Sequence, residues 1–413
     1  MSLSLETRLL CVITSDASII LLRGQLRFLR EAGLEVSVIS SPGTDLNAVP
    51  GDEGVHAHAV PMVREIGGLS DLVSLWRLWR LMRRHRPAIT NVGTPKAGLL
   101  GGLASYLSGV PCRVYTLHGL RCETTRGLKR WGLLLAEWVA CRCAHRVICV
   151  SESLRQKAVA LGVLDPGRAV VLGAGSCNGV DPNRFAPTAE RLRKAAALRR
   201  ALGIPAIAPV IGFIGRFTRD KGVSELVEAF FQLRAEYPDL HLMLVGDFED
   251  GDPISNRIRE AIQDDPRIIL RGTVKDTAPY YHVMDILALP TYREGFPIVV
   301  LEAHAAAKPV VTTRATGAVD AVLDNITGFQ VPVGNVGALA VALARLLADP
   351  ALAKRMGFAG RERVLREFRR EVVWMALEEE YRNLLREKGL PLPQAKTMQA
   401  LQAVASSADF ASR

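Results

Sequence analysis

Two glutamates, Glu294 and Glu302, bracket a proline and an apolar run in T-Y-R-E-G-F-P-I-V-V-L-E-A-H-A-A-A, residues 291–307. Proline suits the first position of a helix, because the N–H it lacks would have no partner there. Pro297 therefore marks a helix start and leaves the amides of Ile298, Val299 and Val300 at the positive dipole end, where an anion can bind. Helical side chains lean toward the N-terminus, so Glu302 points back at that anion while Glu294 flanks it from the loop. A second cluster carries the complementary charge. Gly212-Phe213-Ile214-Gly215-Arg216 closes a β-rich run, and Lys221-Gly222 follows it. Glycines let backbone come close to a ligand, and Arg216 with Lys221 can neutralise a diphosphate from one side. Carboxylates for hydroxyls beside cations for a diphosphate describe a nucleotide-sugar site.

Parallel sheets are the elements that must hold these clusters. Short β-rich runs alternate with helical patterns from end to end, the sign of βαβ units. Residues 8–14, 35–41, 88–92, 113–117 and 146–150 read as one series of strands. Turn chemistry at Asn178-Gly179-Val180-Asp181-Pro182 and a basic, alanine-rich stretch interrupt it. A second series follows at 210–214, 241–245, 268–270, 285–289, 309–312 and 329–331. Two such series predict an α/β protein of two Rossmann-like domains facing a central cleft, with loops at the carboxyl ends of the strands available to ligands. The expected boundaries are 1–185 and 186–370, and residues 391–413 read as a polar tail without sustained period.

Composition narrows the function classes. A chain of 413 residues is too long for one ordinary core, and 49% hydrophobic with 23% charged residues is globular composition. A net charge of +10 suits anionic partners: nucleic acid, acidic membrane or phosphorylated substrates. Aromatics at 6% and the lack of an RNA-binding or zinc-finger signature argue against nucleic acid. The seven cysteines form no spaced framework, and Cys141, Cys143 and His145 read as core residues rather than metal ligands. Free thiols and the lack of a signal peptide lead to the expectation of a reducing cytoplasm. Residues 131–150 come nearest to a membrane span but are broken by Glu137, Arg142 and Arg146.

The motifs V-S-E-S (150–153), N-G-V-D-P-N-R-F (178–185), G-R-F-T-R-D-K-G (215–222) and E-G-F-P-I-V-V-L-E-A (294–303) resemble those of family 4 retaining glycosyltransferases of the GT-B fold. The resemblance runs from Arg8 to about Glu380. T-P-K-A-G (94–98) and G-A-V-D-A-V (317–322) are similar to the capsule, O-antigen and exopolysaccharide transferases that act on undecaprenyl-diphosphate-linked sugars. The resemblance implies a donor site of Gly215, Arg216, Lys221, Glu294, Gly295, Phe296, Pro297, Ile298 and Glu302. Arg216 and Lys221 would hold the diphosphate, Glu294 the sugar hydroxyls and Glu302 the ribose. Catalysis would involve His118 with Glu294, Arg216 and Lys221, and a C-terminal helix near 371–388 would pack back on the first, acceptor-binding domain. The implied donor is a UDP-sugar, with no cofactor and no metal required, since the cations and helix amides do a metal's work. Two departures stand out: many relatives carry a Gly-Gly pair where this chain has Ser15-Asp16-Ala17-Ser18, and Asp320 replaces a glutamate. Asp16 and Lys96 are the acceptor-side candidates.

Two further readings stay open on the same residues: a nucleotide-sugar 2-epimerase, and a non-catalytic nucleotide-sugar-binding regulator. A glycosidase using the carboxylate pair would not need the phosphate-binding cations. Ser151 reads as a helix N-cap. Residues 69–86, L-S-D-L-V-S-L-W-R-L-W-R-L-M-R-R-H-R, read as a helix capped by Ser70 and stopped by Pro87. Leu72, Leu75, Trp76, Trp79 and Met82 would share one side, with Arg77, Arg80 and Arg84 on another. Either the tryptophans pack on the sheet, or the helix docks on the anionic inner face of a bacterial membrane that carries the lipid-linked acceptor.

Overall fold

In the computed structural model, residues 7–63 and 67–394 are described. The chain divides into two units, Met1–Asn178 with Arg370–Arg413, and Gly179–Arg369. Most of the segment expected to form a tail, residues 395–413, lies outside the described residues.

The first unit is built on seven strands: β1 (Arg8–Val12), β2 (Glu35–Ser40), β3 (His56–Ala59), β4 (Ile89–Gly93), β5 (Cys112–Leu117), β6 (Arg146–Cys149) and β7 (Ala169–Val170). All pair in parallel in the order β3-β2-β1-β4-β5-β6-β7. The second unit has six: β8 (Val210–Ile214), β9 (His241–Val245), β10 (Ile268–Arg271), β11 (Ile286–Leu289), β12 (Val310–Thr313) and β13 (Gly328–Val331), in the parallel order β10-β9-β8-β11-β12-β13. Their central strands are apolar runs buried on both faces, which is why they show no alternation. These are two Rossmann-like domains. The strand order reverses between β1 and β4 in one sheet and between β8 and β11 in the other, the places where open α/β sheets bind ligands.

The Arg370–Glu387 helix belongs to the first unit. Its Leu377, Tyr381, Leu384 and Leu385 join the core formed by Leu9, Leu26, Leu29, Val36 and Val38. Each buried leucine contributes roughly 1.5–3 kcal/mol. The polar tip of buried Tyr381 is satisfied by Asn91, whose Nδ2 donates to its hydroxyl at 2.6 Å, while Thr116 donates to Asn91 Oδ1 at 2.8 Å. Trp374 Nε1 donates to Asn178 Oδ1 at 2.6 Å and fixes the start of the same helix.

The Gly68–His85 helix departs from the sequence reading. Its N-cap is Gly67, so Ser70 lies inside the first turn, and the stop is Arg86 in the left-handed region. Asp71, Ser74, Leu78 and Met82 face inward, and Trp76 and Trp79 face out. The tryptophans do not pack on the sheet. Among the described residues no single helix is long and apolar enough to cross a membrane.

Candidate active site

The loops after β8 and β11 leave neighbouring strands at the same sheet edge, and Asp220 stitches them together. Its carbonyl accepts from the Tyr292 amide at 2.8 Å and the Thr291 hydroxyl at 3.0 Å. Its carboxylate accepts from Thr218 Oγ1 and Arg293 Nη2, both at 2.7 Å. Burial pushes the Asp220 carboxyl up, but the Thr218 hydroxyl and the Arg293, Lys221 and Arg216 charges outweigh it and hold the group below its ordinary value. Gly222 lets the loops close: at its φ of 70° an added Cβ would lie 2.0 Å from the Pro290 carbonyl oxygen. Sequence reasoning missed Asp220, because its partners lie about seventy residues away.

On this brace sit the charged groups. Lys221 Nζ donates to Glu294 Oε1 at 2.5 Å. Arg216 pairs with Glu249, and Arg219 with Asp252 at 2.8 Å, so an acidic turn after β9 lines the basic loop. Glu302 Oε2 accepts from the Tyr281 hydroxyl at 2.7 Å. Tyr281 is fully buried, and burial first and the Glu302 charge second hold its phenol protonated far above its usual range. Tyr281 and Glu249 were also missed, for want of any local signal. Gly215 and Gly246 bring the two adjacent loops into backbone contact, an added Cβ on Gly246 meeting the Gly215 carbonyl oxygen at 1.9 Å.

The helix start differs by one position. Pro297 is the N-cap in extended conformation (φ −77°, ψ 104°), and the helix is Ile298–Ala305. The Val300 amide donates to the Pro297 carbonyl at 3.1 Å, so it is not one of the amides left for an anion, and the expected set reduces to Ile298 and Val299. Gly295 and Phe296 are buried beside it, Phe296 against Phe368 with ring centroids 5.2 Å apart.

In the first unit, His118 follows β5 and lies against Gly93, where a Cβ would sit 3.0 Å from its Nε2. Burial pushes its pKa down to about 4, so the ring is neutral near pH 7. A cavity of about 30 Å³ beneath it, lined in part by Gln25, Asn91 and Thr116, has room for a water. The loops after β1 and β4 meet through Thr14 and Thr94, whose hydroxyl oxygens are 2.7 Å apart. Thr94 holds φ 67° and ψ 147°, a region favoured by glycine and costing roughly 1–3 kcal/mol. Lys96 is buried with its ammonium 2.6 Å from Asp71 Oδ1, so its charge is matched within the fold. Asp16 opens a 3-10 turn with its carboxylate against Gly43. Ser151 caps the Glu152–Ala160 helix, its Oγ accepting from the Leu154 amide at 3.3 Å. Cys141 and Cys143 are buried thiols pushed up by burial, and the His145 Nδ1 accepts from the Arg113 amide.

Comparison with known proteins gives the family. Residues 208–349 match the family model for glycosyl transferases group 1, and residues 22–175 match that for the glycosyl transferase 4-like domain. The capsular polysaccharide biosynthesis glycosyltransferase CapM of Staphylococcus aureus is 36% identical over 91% of this chain and 97% of its own length. The chain belongs to the group 1 glycosyltransferases. An Escherichia coli relative, UDP-Gal:alpha-D-GlcNAc-diphosphoundecaprenol alpha-1,3-galactosyltransferase, is 28% identical over 73% of this chain and 77% of its own. Among solved structures, Anabaena Alr3699/HepE in complex with UDP-glucose superposes with a TM-score of 0.78 at 20% identity, covering 92% of this chain and all of that one. That likeness is one of fold, and the fold is GT-B. Capsular polysaccharide biosynthesis is the role in CapM's name, and the likeness to CapM runs over nearly the whole of both chains.

Proposed function

We propose that the enzyme is a retaining, family 4 hexosyltransferase that moves a sugar from a UDP-sugar to a hydroxyl of an undecaprenyl-diphosphate-linked saccharide. It would act on the cytoplasmic side of a bacterial membrane, as a peripheral protein. The observation that carries the reading is the loop pair braced by Asp220, which gathers Arg216, Lys221, Glu294 and the Ile298 helix start at one switch point. In this reading, Lys221 and Arg216 exchange their glutamate partners for the donor diphosphate. The charge that develops on the leaving diphosphate is then met by both cations and by the first helix amides. Glu294, released from Lys221, accepts from hydroxyls of the transferred sugar. Glu302, held by the Tyr281 hydroxyl, accepts from the ribose. No step calls for a metal. In the front-face route that the family resemblance implies, the leaving diphosphate's own oxygen receives the proton of the attacking hydroxyl on the face it departs from, which retains configuration. Neutral His118, with Asp16 and Lys96 beside the β1 and β4 loops, belongs to the acceptor side. The name of the E. coli relative supports both the UDP-linked donor and the diphosphate-linked acceptor.

A panel of UDP- and GDP-sugars against undecaprenyl-diphosphate-linked acceptors, read by mass spectrometry, tests it. One UDP-sugar should add a single hexose. Conversion of donor without acceptor would identify an epimerase instead, and binding without turnover a regulator.

A further inference from the structure

Three helices cover one face of the first sheet: Gly68–His85, Pro95–Leu107 and Gly127–Cys143, the middle one packed against both others. The outer two repeat one pattern. Leu69, Leu72, Trp76, Trp79 and Arg83 follow the spacing i, i+3, i+7, i+10, i+14, and so do Leu128, Trp131, Leu135, Trp138 and Arg142. That spacing makes a single stripe along a helix. Both stripes are exposed, Leu69 at 83%, Trp76 at 52%, Leu128 at 89% and Trp131 at 67%. Four of the chain's five tryptophans lie on them.

Charge is sorted as strictly as apolar surface. The three helices contain two acids, Asp71 and Glu137, and both point inward. Asp71 meets Lys96, and Glu137 accepts from the buried Tyr115 hydroxyl at 2.7 Å. The charges that broke residues 131–150 as a membrane span are therefore not all on its surface: Glu137 faces the core and leaves the outer stripe apolar. Outward charges are cationic, with Arg77, Arg80, Arg83 and Arg84 on one helix and Lys129 and Arg142 on the other. Arg80 lies over the Trp76 ring at 5.4 Å and Arg142 over Trp138 at 5.9 Å, so indole and guanidinium are presented together. At packed-helix spacing the two stripes are roughly 16–20 Å apart.

We infer that these two helices form one docking face for an anionic lipid bilayer, lying in the plane of the interface with both tryptophan stripes at the headgroup boundary. Charge complementarity selects this occupant: a face with cations outward and every acid withdrawn fits anionic headgroups, and indoles favour the zone where an apolar body meets a wet edge. A second copy of the chain would set like charges against each other. The inference rests on the proposed function for its use, since a lipid-linked acceptor has to be reached at the bilayer, but its test needs neither donor nor acceptor.

Co-sedimentation with phosphatidylcholine vesicles, with and without phosphatidylglycerol, reads docking directly. The native protein should pellet with the anionic vesicles alone, release with salt, and show tryptophan emission quenched by brominated lipid. Trp131→Ser with Trp138→Ser, and separately Arg77, Arg80 and Arg84 to Glu, should each weaken binding about tenfold or more. If the tryptophan pair variant pellets like the native protein, the second helix is not part of the face. If the native protein ignores anionic vesicles and sediments as a dimer that this variant dissociates, the face is a self-interface and the inference fails. Transfer to a short-chain, water-soluble acceptor is measured on the same proteins and should be unchanged by either set. Vesicle binding without transfer to any lipid-linked acceptor would defeat the proposed function and leave the docking face standing.

Discussion

Lys221→Ala separates the two jobs of one lysine. Its ammonium is 2.5 Å from Glu294, with the two side chains only 17% and 13% exposed. Removing it strands a half-buried carboxylate, which costs on the order of 1–3 kcal/mol of stability. It also removes a cation from the departing diphosphate, worth about 2.7–4 kcal/mol of barrier, or roughly 10²–10³ in turnover. Replacing Glu294 by Gln in the same protein withdraws the stranded charge. The double variant Lys221→Ala, Glu294→Gln should therefore regain most of the lost stability while turnover stays as low as in the single variant or lower. Denaturant melts and initial rates at saturating donor read the two quantities separately. Turnover that returned along with stability would mean that Lys221 only holds the fold, and turnover at the native level in Lys221→Ala would sink the site assignment.

Other expectations follow from the same geometry. Glu302→Gln should cut turnover by about two orders of magnitude, measured with the sugar acceptor saturating. Tyr281→Phe removes a hydrogen bond to a carboxylate and should weaken UDP binding about tenfold in calorimetry, with little change in maximal rate if Glu302 holds the ribose. Activity should persist in EDTA, and a loss restored by manganese would contradict the role given to Arg216, Lys221 and the helix amides. Burial holds His118 and His304 near pKa 4, well below 6.5, so below pH 6.5 the unfolded chain takes up protons that the fold refuses. Stability should fall as pH drops from 6.5 toward 4, and the slope of melting temperature against pH should be shallower in His304→Asn.

The strands that sequence revealed are those whose apolar runs need both faces buried, such as Val210–Ile214 and His241–Val245. β3, H-A-H-A at an edge, and β7, two residues long, carry no such run and were missed. Motif residues were legible because glycine, proline, lysine and glutamate each have a local reason to stand where they do. Their partners were not. Asp220 and Tyr281 touch the site across dozens of residues, and only the folded chain brings them in. The Gly68–His85 helix shows the converse failure. Hydrophobicity alone would turn its tryptophans inward, but Lys96 gives Asp71 a buried partner, and that pairing goes with the opposite rotation. Met82, expected beside the tryptophans, is buried with Leu78 instead. Periodicity therefore bounds the apolar side of this helix only loosely, and a tertiary contact goes with the face that is inside.

The proposed function stands on transfer from a nucleotide diphosphate sugar to a lipid-linked saccharide with retention, on cations instead of a metal. One reaction tests it most directly: ¹³C-labelled UDP-sugar and a short-chain diphosphate-linked saccharide in EDTA, with the product followed by mass and by the anomeric coupling in NMR. The product should carry one added hexose whose anomeric configuration matches the donor's. An inverted anomer, or donor consumed with no labelled saccharide formed, would contradict it.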